Sequence, residues 1–399
     1  MPNVNPGIIE WARSTTGLTL EEAAQALGLA SANRLKAIEA GNESPSRPLL
    51  LKMSKQYRRS LLTFYLAEPP KKGDRGQDFR TLPDRSLASD ALLDALIRDL
   101  RARQSLVRAT LEDEEDPTPL PFIGSVRMAD GLAAVLQSIK SKLKVDLTVF
   151  RSRKSQEEAF TYLRECAEDI GIFVLLIGNL GSHHSAIPVD AFRGFAIADK
   201  VAPFVVINDQ DAKTAWSFTL LHEIAHLWLG TTGVSGTHGD TAIEQFCNDI
   251  AGELLLPKEE LEALQIGPNS ELGEMIALIS AFARKRHLSR AMVAYKLHRS
   301  GAIDRSLWRA LDGKFREMWL QEKAHQKARD GAGDGPSYYV VRRHRLGKAL
   351  LEFASRNVKA GTLSPVKAAK VLGVKPRSVY PLLIDTPHRG PAAGPREAR

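Results

Sequence analysis

From residue 6 to 66 apolar positions recur at helical spacing with no strand-like alternation, which predicts a cluster of short helices. Pro6 suits a first helical turn, and Ile8, Ile9 and Ala12 follow it on one face. Thr19 stands three residues before Glu22, the spacing of a capping box, and Leu20, Ala23, Ala24 and Leu27 form the stripe that Gly28 ends. A third helix is expected from near Ser31 through Leu35 and Ile38 to Gly41. A fourth follows the turn at 44–48, with Leu49, Leu50, Met53 and Tyr57 as its apolar side.

Residues 69–87 are rich in Pro, Gly and charge, a linker composition, and a long polar helix is expected from about Ser89 to Leu111. Beyond Leu120, mixed helices lead to three apolar strand candidates at 172–177, 192–197 and 204–207, the last ending at Asn208-Asp209. Strands of this kind feeding an apolar helix at 214–230 imply a small sheet packed on helices. The stretch 273–311 is helical in texture and is expected to close over that core. After the Gly- and Asp-rich boundary at 330–336, Arg342-Arg343-His344-Arg345 precedes a helix. The segment 362–375 then reads as cap, amphipathic helix, glycine turn and helix. The tail after Asp385, with Pro387, Pro391 and Pro395, is expected to be disordered. The fold class is therefore α+β and mostly helical.

A chain of 399 residues calls for two or three domains, and 43% hydrophobic with 26% charged residues is ordinary globular composition. No apolar run is long enough for a membrane span, and the start MPNVNPGIIEWARS lacks a basic region followed by an apolar one, so a cytoplasmic location is expected. Cys166 and Cys247 are too few for a disulfide framework or a cysteine metal knuckle, which leaves any metal to His and carboxylates. The net charge of +8 is unevenly spread: residues 1–75 hold 11 basic and 7 acidic side chains and residues 313–399 hold 18 and 7, leaving the centre acidic. Basic ends suit a polyanion, although a charge run is also the mark of a solvated face.

The helix at 214–230 carries His222-Glu223-Ile224-Ala225-His226. Two His at i and i+4 share a helix face and can bind one Zn²⁺, while Glu223 beside them is placed to act as a general base on water. Two core histidines with a chance Glu would be the bland alternative, but burying them without partners costs several kcal/mol. A catalytic zinc needs a third protein ligand. Glu244, 18 residues past His226, leads the candidates; Glu253 and Asp240 compete on spacing, and His238 could approach from the Gly-rich loop 233–239. Cys247 reads as a small buried residue.

Two resemblances sharpen this reading. Gly17-Leu18-Thr19, Ala23-Ala24, Leu27-Gly28-Leu29 and Ile38-Glu39-Ala40-Gly41 resemble the helix-turn-helix of the Cro-repressor (XRE) class. Ser31, Asn33, Arg34 and Lys36 are then the DNA-facing residues, Asn and Arg for base edges and Lys for phosphate. The stretch between Gly28 and Ile38 is about one residue longer than usual, which leaves open which of them meets a base. Phe192-Arg193-Gly194, Ala202-Pro203, Ile207-Asn208, the segment from Phe218 to His226, and Glu244 with Asn248, Ala251 and Leu254-Leu255-Leu256-Pro257 resemble the ImmA/IrrE metallopeptidases. Leu256 stands where a Met is common. From the chemistry of the motif, Glu223 is the expected catalytic base in water activation, and this resemblance implies Glu244 as third ligand. It also implies a peptidase that acts on a helix-turn-helix repressor in stress response or mobile-element induction. Some longer members that carry their own helix-turn-helix resemble toxin-antitoxin regulators, in which the metal domain need not be catalytic.

The expected organisation is an XRE-type domain at 1–68, a linker and long helix at 69–112, a zincin-like peptidase domain with a small sheet at 113–312, a basic helical segment at 337–385 and a tail at 386–399. The basic segment reads either as a second helix-turn-helix or as a docking surface for a protein. Expected partners are a double-stranded DNA operator, a protein substrate or cognate toxin or repressor, and a second copy of the chain in a homodimer; the expected cofactor is Zn²⁺, and no membrane is involved.

Overall fold

The structure is a computed structural model that describes residues 3–70, 77–78, 87–113, 119–181, 185–235, 242–264, 271–329 and 337–384. At the N-terminal end, α1 (Pro6–Ser14), α2 (Leu20–Leu27), α3 (Ala32–Glu39) and α4 (Arg47–Gln56) form a small bundle. Its core is Ile8, Ile9, Ala12, Ala23, Leu27, Leu35, Ile38, Met53, Tyr57 and Phe64. The capping box is present: the Glu22 amide donates to the Thr19 hydroxyl and the Thr19 amide to the Glu22 carboxylate. Arg13 of α1 grips Glu39 of α3 through two bonds of 2.7 and 2.9 Å, holding the first and third helices together.

The helix α5 (Leu87–Glu112) follows β1 (Gln77–Asp78). It is amphipathic rather than polar as expected. Leu93, Leu96, Ile97, Leu100 and Val107 form a buried stripe at helical spacing within a highly charged sequence. Next come α6 (Leu132–Leu143), α7 (Leu147–Ser152) and α8 (Gln156–Glu168), then β2 (Phe173–Leu176), β3 (Gly194–Ile197) and β4 (Phe204–Ile207). The chain continues through α9 (Lys213–Trp228), β5 (Gly233–Ser235), α10 (Ala242–Leu255), α11 (Lys258–Leu261), α12 (Leu272–Lys285), α13 (Arg290–Arg299) and α14 (Arg305–Arg329). It ends in α15 (Tyr338–Leu346), α16 (Lys348–Ala360), α17 (Pro365–Leu372) and α18 (Val379–Leu383).

The sheet has the order β1-β5-β3-β4-β2, with β2 parallel to β4, β3 antiparallel to both β4 and β5, and β1 parallel to β5. The three expected strands are adjacent in it and run to one edge, where β2 lies. The other two strands come from segments that lack an apolar run: β1, at the opposite edge, from the expected linker, and β5, between β1 and β3, from the start of the expected Gly-rich loop. The rest of that loop, the 330–336 boundary and the tail lie outside the described residues.

Alternation along the strands divides two cores. Val174, Leu176, Ala196, Val205 and Ile207 face helices α6 to α14, including the 273–311 stretch through Met275, Ile279, Phe282, Val293 and Leu297. Phe173, Leu175, Phe195, Ile197, Phe204 and Val206 face α5 and α15 to α18. Every described position of β2, β3 and β4 is buried because both faces are covered. The C-terminal helices are thus a layer on the sheet. They are fastened there by Arg345 on Asp209 at 2.6 Å and by Arg164 of α8, which donates to the carbonyls of His344, Arg345 and Val174. Glu168 accepts the amide of Lys348 at the start of α16. Cys166 and Cys247 are both free thiols. Among the described residues no helix is long and apolar enough to cross a membrane.

Candidate metal centre

The helix α9 is apolar almost all round because it is surrounded: β3 and β4 lie on one side, with α6, α8 and α10 on the others. Trp216 packs edge-on against Phe160, and Trp228 stacks on Phe122 with centroids 4.5 Å apart. Within this apolar setting His222 and His226, one turn apart, aim their rings the same way. Their Nε2 atoms are 3.1 Å apart. Glu244, in the first turn of α10, reaches both: Oε2 is 3.2 Å from His222 Nε2 and Oε1 is 3.0 Å from His226 Nε2.

The ligand atoms of His222, His226 and Glu244 all lie within 4.8 Å of one another, and all three residues are buried. Two imidazole nitrogens at this distance repel if both carry lone pairs and repel if both are protonated, so without an ion one must donate to the other; a shared cation lets both offer lone pairs. Two imidazole nitrogens and one carboxylate form a donor set that suits zinc. The electrostatics agree. Burial pushes the Glu244 carboxyl up, but its bonds to His222 and His226 outweigh this and hold it down at about 2. Burial also opposes charging of both imidazoles. At His222 the bond to Glu244 prevails and the pKa is raised, whereas at His226 burial prevails and it is lowered.

Glu223 is fully buried beside His222. The backbone of β3 presses on it at Gly194, where an added Cβ would lie 2.8 Å from Glu223 Oε1 and 2.6 Å from Thr219 Cγ2. Only glycine allows the strand this close to the helix without displacing the carboxylate. Cys247 is buried as expected. Burial first, then the charges of Glu244 and Glu223, push its thiol pKa far up, so it stays protonated. That environment suits a packed thiol and not a thiolate ligand.

The competing ligand Glu253 faces elsewhere: it pairs with Lys296 and accepts the Lys258 amide at 3.1 Å. Asp240 and His238 lie outside the described residues. Two further contributors are given no role at the site by the sequence reading. The Thr231 hydroxyl is 2.9 Å from His226 Nδ1, in the turn that ends α9, and the Asn248 side chain, one turn past Glu244, bonds His222. A polar residue on the ligand face one turn from Glu244 was a readable hint for Asn248; Thr231 depends on how the chain turns after Gly230.

In the N-terminal bundle Ser31, Asn33, Arg34 and Lys36 are all exposed, while Leu35 and Ile38 of the same helix are buried. Arg34 is paired with Glu43 at 2.8 Å. Ser31 is the residue before α3 and makes no capping bond, so its hydroxyl is not committed to the helix start.

A family model described as the IrrE N-terminal-like domain, Peptidase_M78, matches residues 173–298. The match runs from β2 into α13 and includes His222, Glu223, His226 and Glu244. This part of the chain is therefore a metallopeptidase-like domain. No curated protein and no solved structure matches the chain.

Proposed function

We propose that the chain is a bacterial DNA-binding transcriptional regulator whose zinc-dependent endopeptidase domain cleaves a repressor or other partner protein. The observation that carries the peptidase reading is Glu223: a carboxylate fully buried beside His222, His226 and Glu244 and held by the close approach of Gly194. When bound there, zinc supplies Lewis acidity for a water nucleophile and for a peptide carbonyl. His222, His226 and Glu244 hold the ion. Glu223 takes the proton from the attacking water and returns it to the leaving amine, and its apolar surroundings keep bulk water from competing for that proton. The DNA-binding reading is supported by the exposed Asn33, Arg34 and Lys36 on α3 and Ser31 just before it, in a basic N-terminal segment.

Glu223→Gln tests the chemistry, since the amide keeps the size of the side chain but cannot act as base. The zinc-loaded full chain is incubated with a proteome-derived peptide pool, and new termini are read by mass spectrometry. Wild type is expected to generate termini within a defined sequence context. Glu223→Gln is expected to generate none while retaining one zinc per chain. Equal output from the two proteins would overturn the peptidase reading and leave the second one, a DNA-binding antitoxin or autorepressor whose metal domain only organises the fold.

A further inference from the structure

The N-terminal bundle and the C-terminal layer repeat one local design. In the first, Thr19 precedes an eight-residue helix, Ala23-Ala24 lie on its inner face, Leu27 closes it and Gly28 ends it at φ 71 and ψ 36, before Leu29. In the second, Ser364 caps an eight-residue helix, Ala368-Ala369 lie inward, Leu372 closes it and Gly373 ends it at φ 60 and ψ 40, before Val374. Both glycines occupy the left-handed region that other residues avoid, so the chain makes the same sharp turn twice. In each case a basic side chain from a neighbouring helix caps the carbonyls freed at the turn: Lys52 donates to Leu27, and Arg342 donates to Leu372 and Gly373.

The likeness extends past the glycine. A 3₁₀ turn at Pro376–Ser378 runs directly into α18, together giving eight residues, the length of α3. Ser378, Val379 and Leu382 face inward, while Arg377, Tyr380 and Ile384 are exposed at spacings of three and four along one side. Lys375 precedes them and is exposed, as is Lys367 on α17. Lys370 is exposed and pairs with Asp99 of α5 at 3.3 Å. Residues 337–384 hold ten Lys and Arg against a single acid, Glu352. Not all of that charge is outward: Arg343 is spent on the carbonyls of Pro381, Leu382 and Ile384, which fixes α18 to α15.

We infer that α17 and the helix following Gly373 form a second helix-turn-helix that binds duplex DNA, with Arg377 and Tyr380 toward the groove and Lys367 and Lys375 on phosphates. The inference goes beyond the proposed function, because it places a DNA contact on the layer that covers the metallopeptidase-like domain. The amphipathic helix supplies the shape that enters a major groove, and the exposed Lys367, Lys375 and Arg377 supply the complementary charge.

The test uses the full chain with a random-sequence 40-bp duplex as probe, titrated from low to high salt. Lys367→Gln/Lys375→Gln/Arg377→Gln, all exposed positions, is expected to weaken binding at least tenfold. It should also reduce the slope of log affinity against log salt by about two, since the two lost phosphate contacts of Lys367 and Lys375 each remove about 0.9. An unchanged melting temperature establishes that the variant folds. Asn33→Ala/Lys36→Ala in the N-terminal bundle is run beside it. If that variant keeps full affinity while the triple variant loses it, the N-terminal reading fails and this one stands. If the triple variant keeps wild-type affinity and slope, the proposal is overturned and the basic surface is a docking site for protein.

Discussion

Thr231 stands directly behind His226: its hydroxyl is 2.9 Å from Nδ1 while Nε2 of the same ring points to His222 and Glu244. A hydroxyl in this position fixes which nitrogen of the ring is offered to an ion and limits rotation of the ring. Thr231→Val preserves the shape and removes the contact. Its zinc affinity is expected to fall about 10- to 100-fold, measured by competition with a chromophoric chelator. His226→Ala, by contrast, should not retain stoichiometric zinc. Wild-type affinity in Thr231→Val would show that packing alone orients the ring.

Acid sensitivity of the zinc-free protein should come chiefly from Glu244. A carboxyl held below its ordinary value contributes stability that is present above that value and lost as pH falls through the folded one. For Glu244 this window runs from 4.5 down to about 2. The two imidazoles act in opposite senses. His222, raised, adds stability that is lost as pH rises through its folded value, and His226, lowered, gives up stability as pH falls. Their contributions near neutrality therefore partly cancel. Urea unfolding of chelator-treated protein should show a steep loss of stability below pH 4.5 in wild type and a shallower one in Glu244→Gln. Parallel curves would place the acid-sensitive group elsewhere.

The centre of this fold was legible because its signals are local. The apolar runs at 172–177 and 204–207 have no polar face to confuse them, and the spacing of His222 and His226 fixes a shared helix face wherever the helix lies. Glu244 leads the candidates with Glu253 competing on spacing, and resemblance demotes Glu253; both sit on α10, and packing turns Glu244 toward the imidazoles and Glu253 toward Lys296. Strands β1 and β5 were not legible because they are defined by their pairing, not by apolar side chains. The burial of α5 was masked by its charge, since Arg103 and Arg108 are neutralised by Asp99, Glu112 and Asp199 while the Leu stripe packs inward. The C-terminal arginines read as a free basic surface. Arg342, Arg343 and Arg345 instead bind carbonyls and Asp209, contacts that depend on how distant segments meet.

The pairing of Arg34 with Glu43 bears on how the N-terminal bundle would meet DNA. Both side chains reach solvent, so the pair is weak and readily exchanged for a base edge or a phosphate. Glu43 nevertheless places a negative charge on the surface that would face the duplex. Glu43→Gln should therefore tighten binding of the full chain several-fold at low salt, with the gain shrinking as salt screens it. Arg34→Ala should weaken binding and flatten sequence preference, if the guanidinium reads a base. Lys52 is a control of a different kind, because its Nζ caps the Leu27 carbonyl at 3.3 Å. Lys52→Ala should lower the stability of the bundle by about 0.5–1.5 kcal/mol and leave sequence preference unchanged. Gel shifts against a selected operator and its scrambled form separate these outcomes. Tighter binding in Glu43→Gln with unaltered preference in Arg34→Ala would assign Arg34 to phosphate and pass the reading role to Asn33, the neighbouring exposed side chain that can bond a base edge at two points.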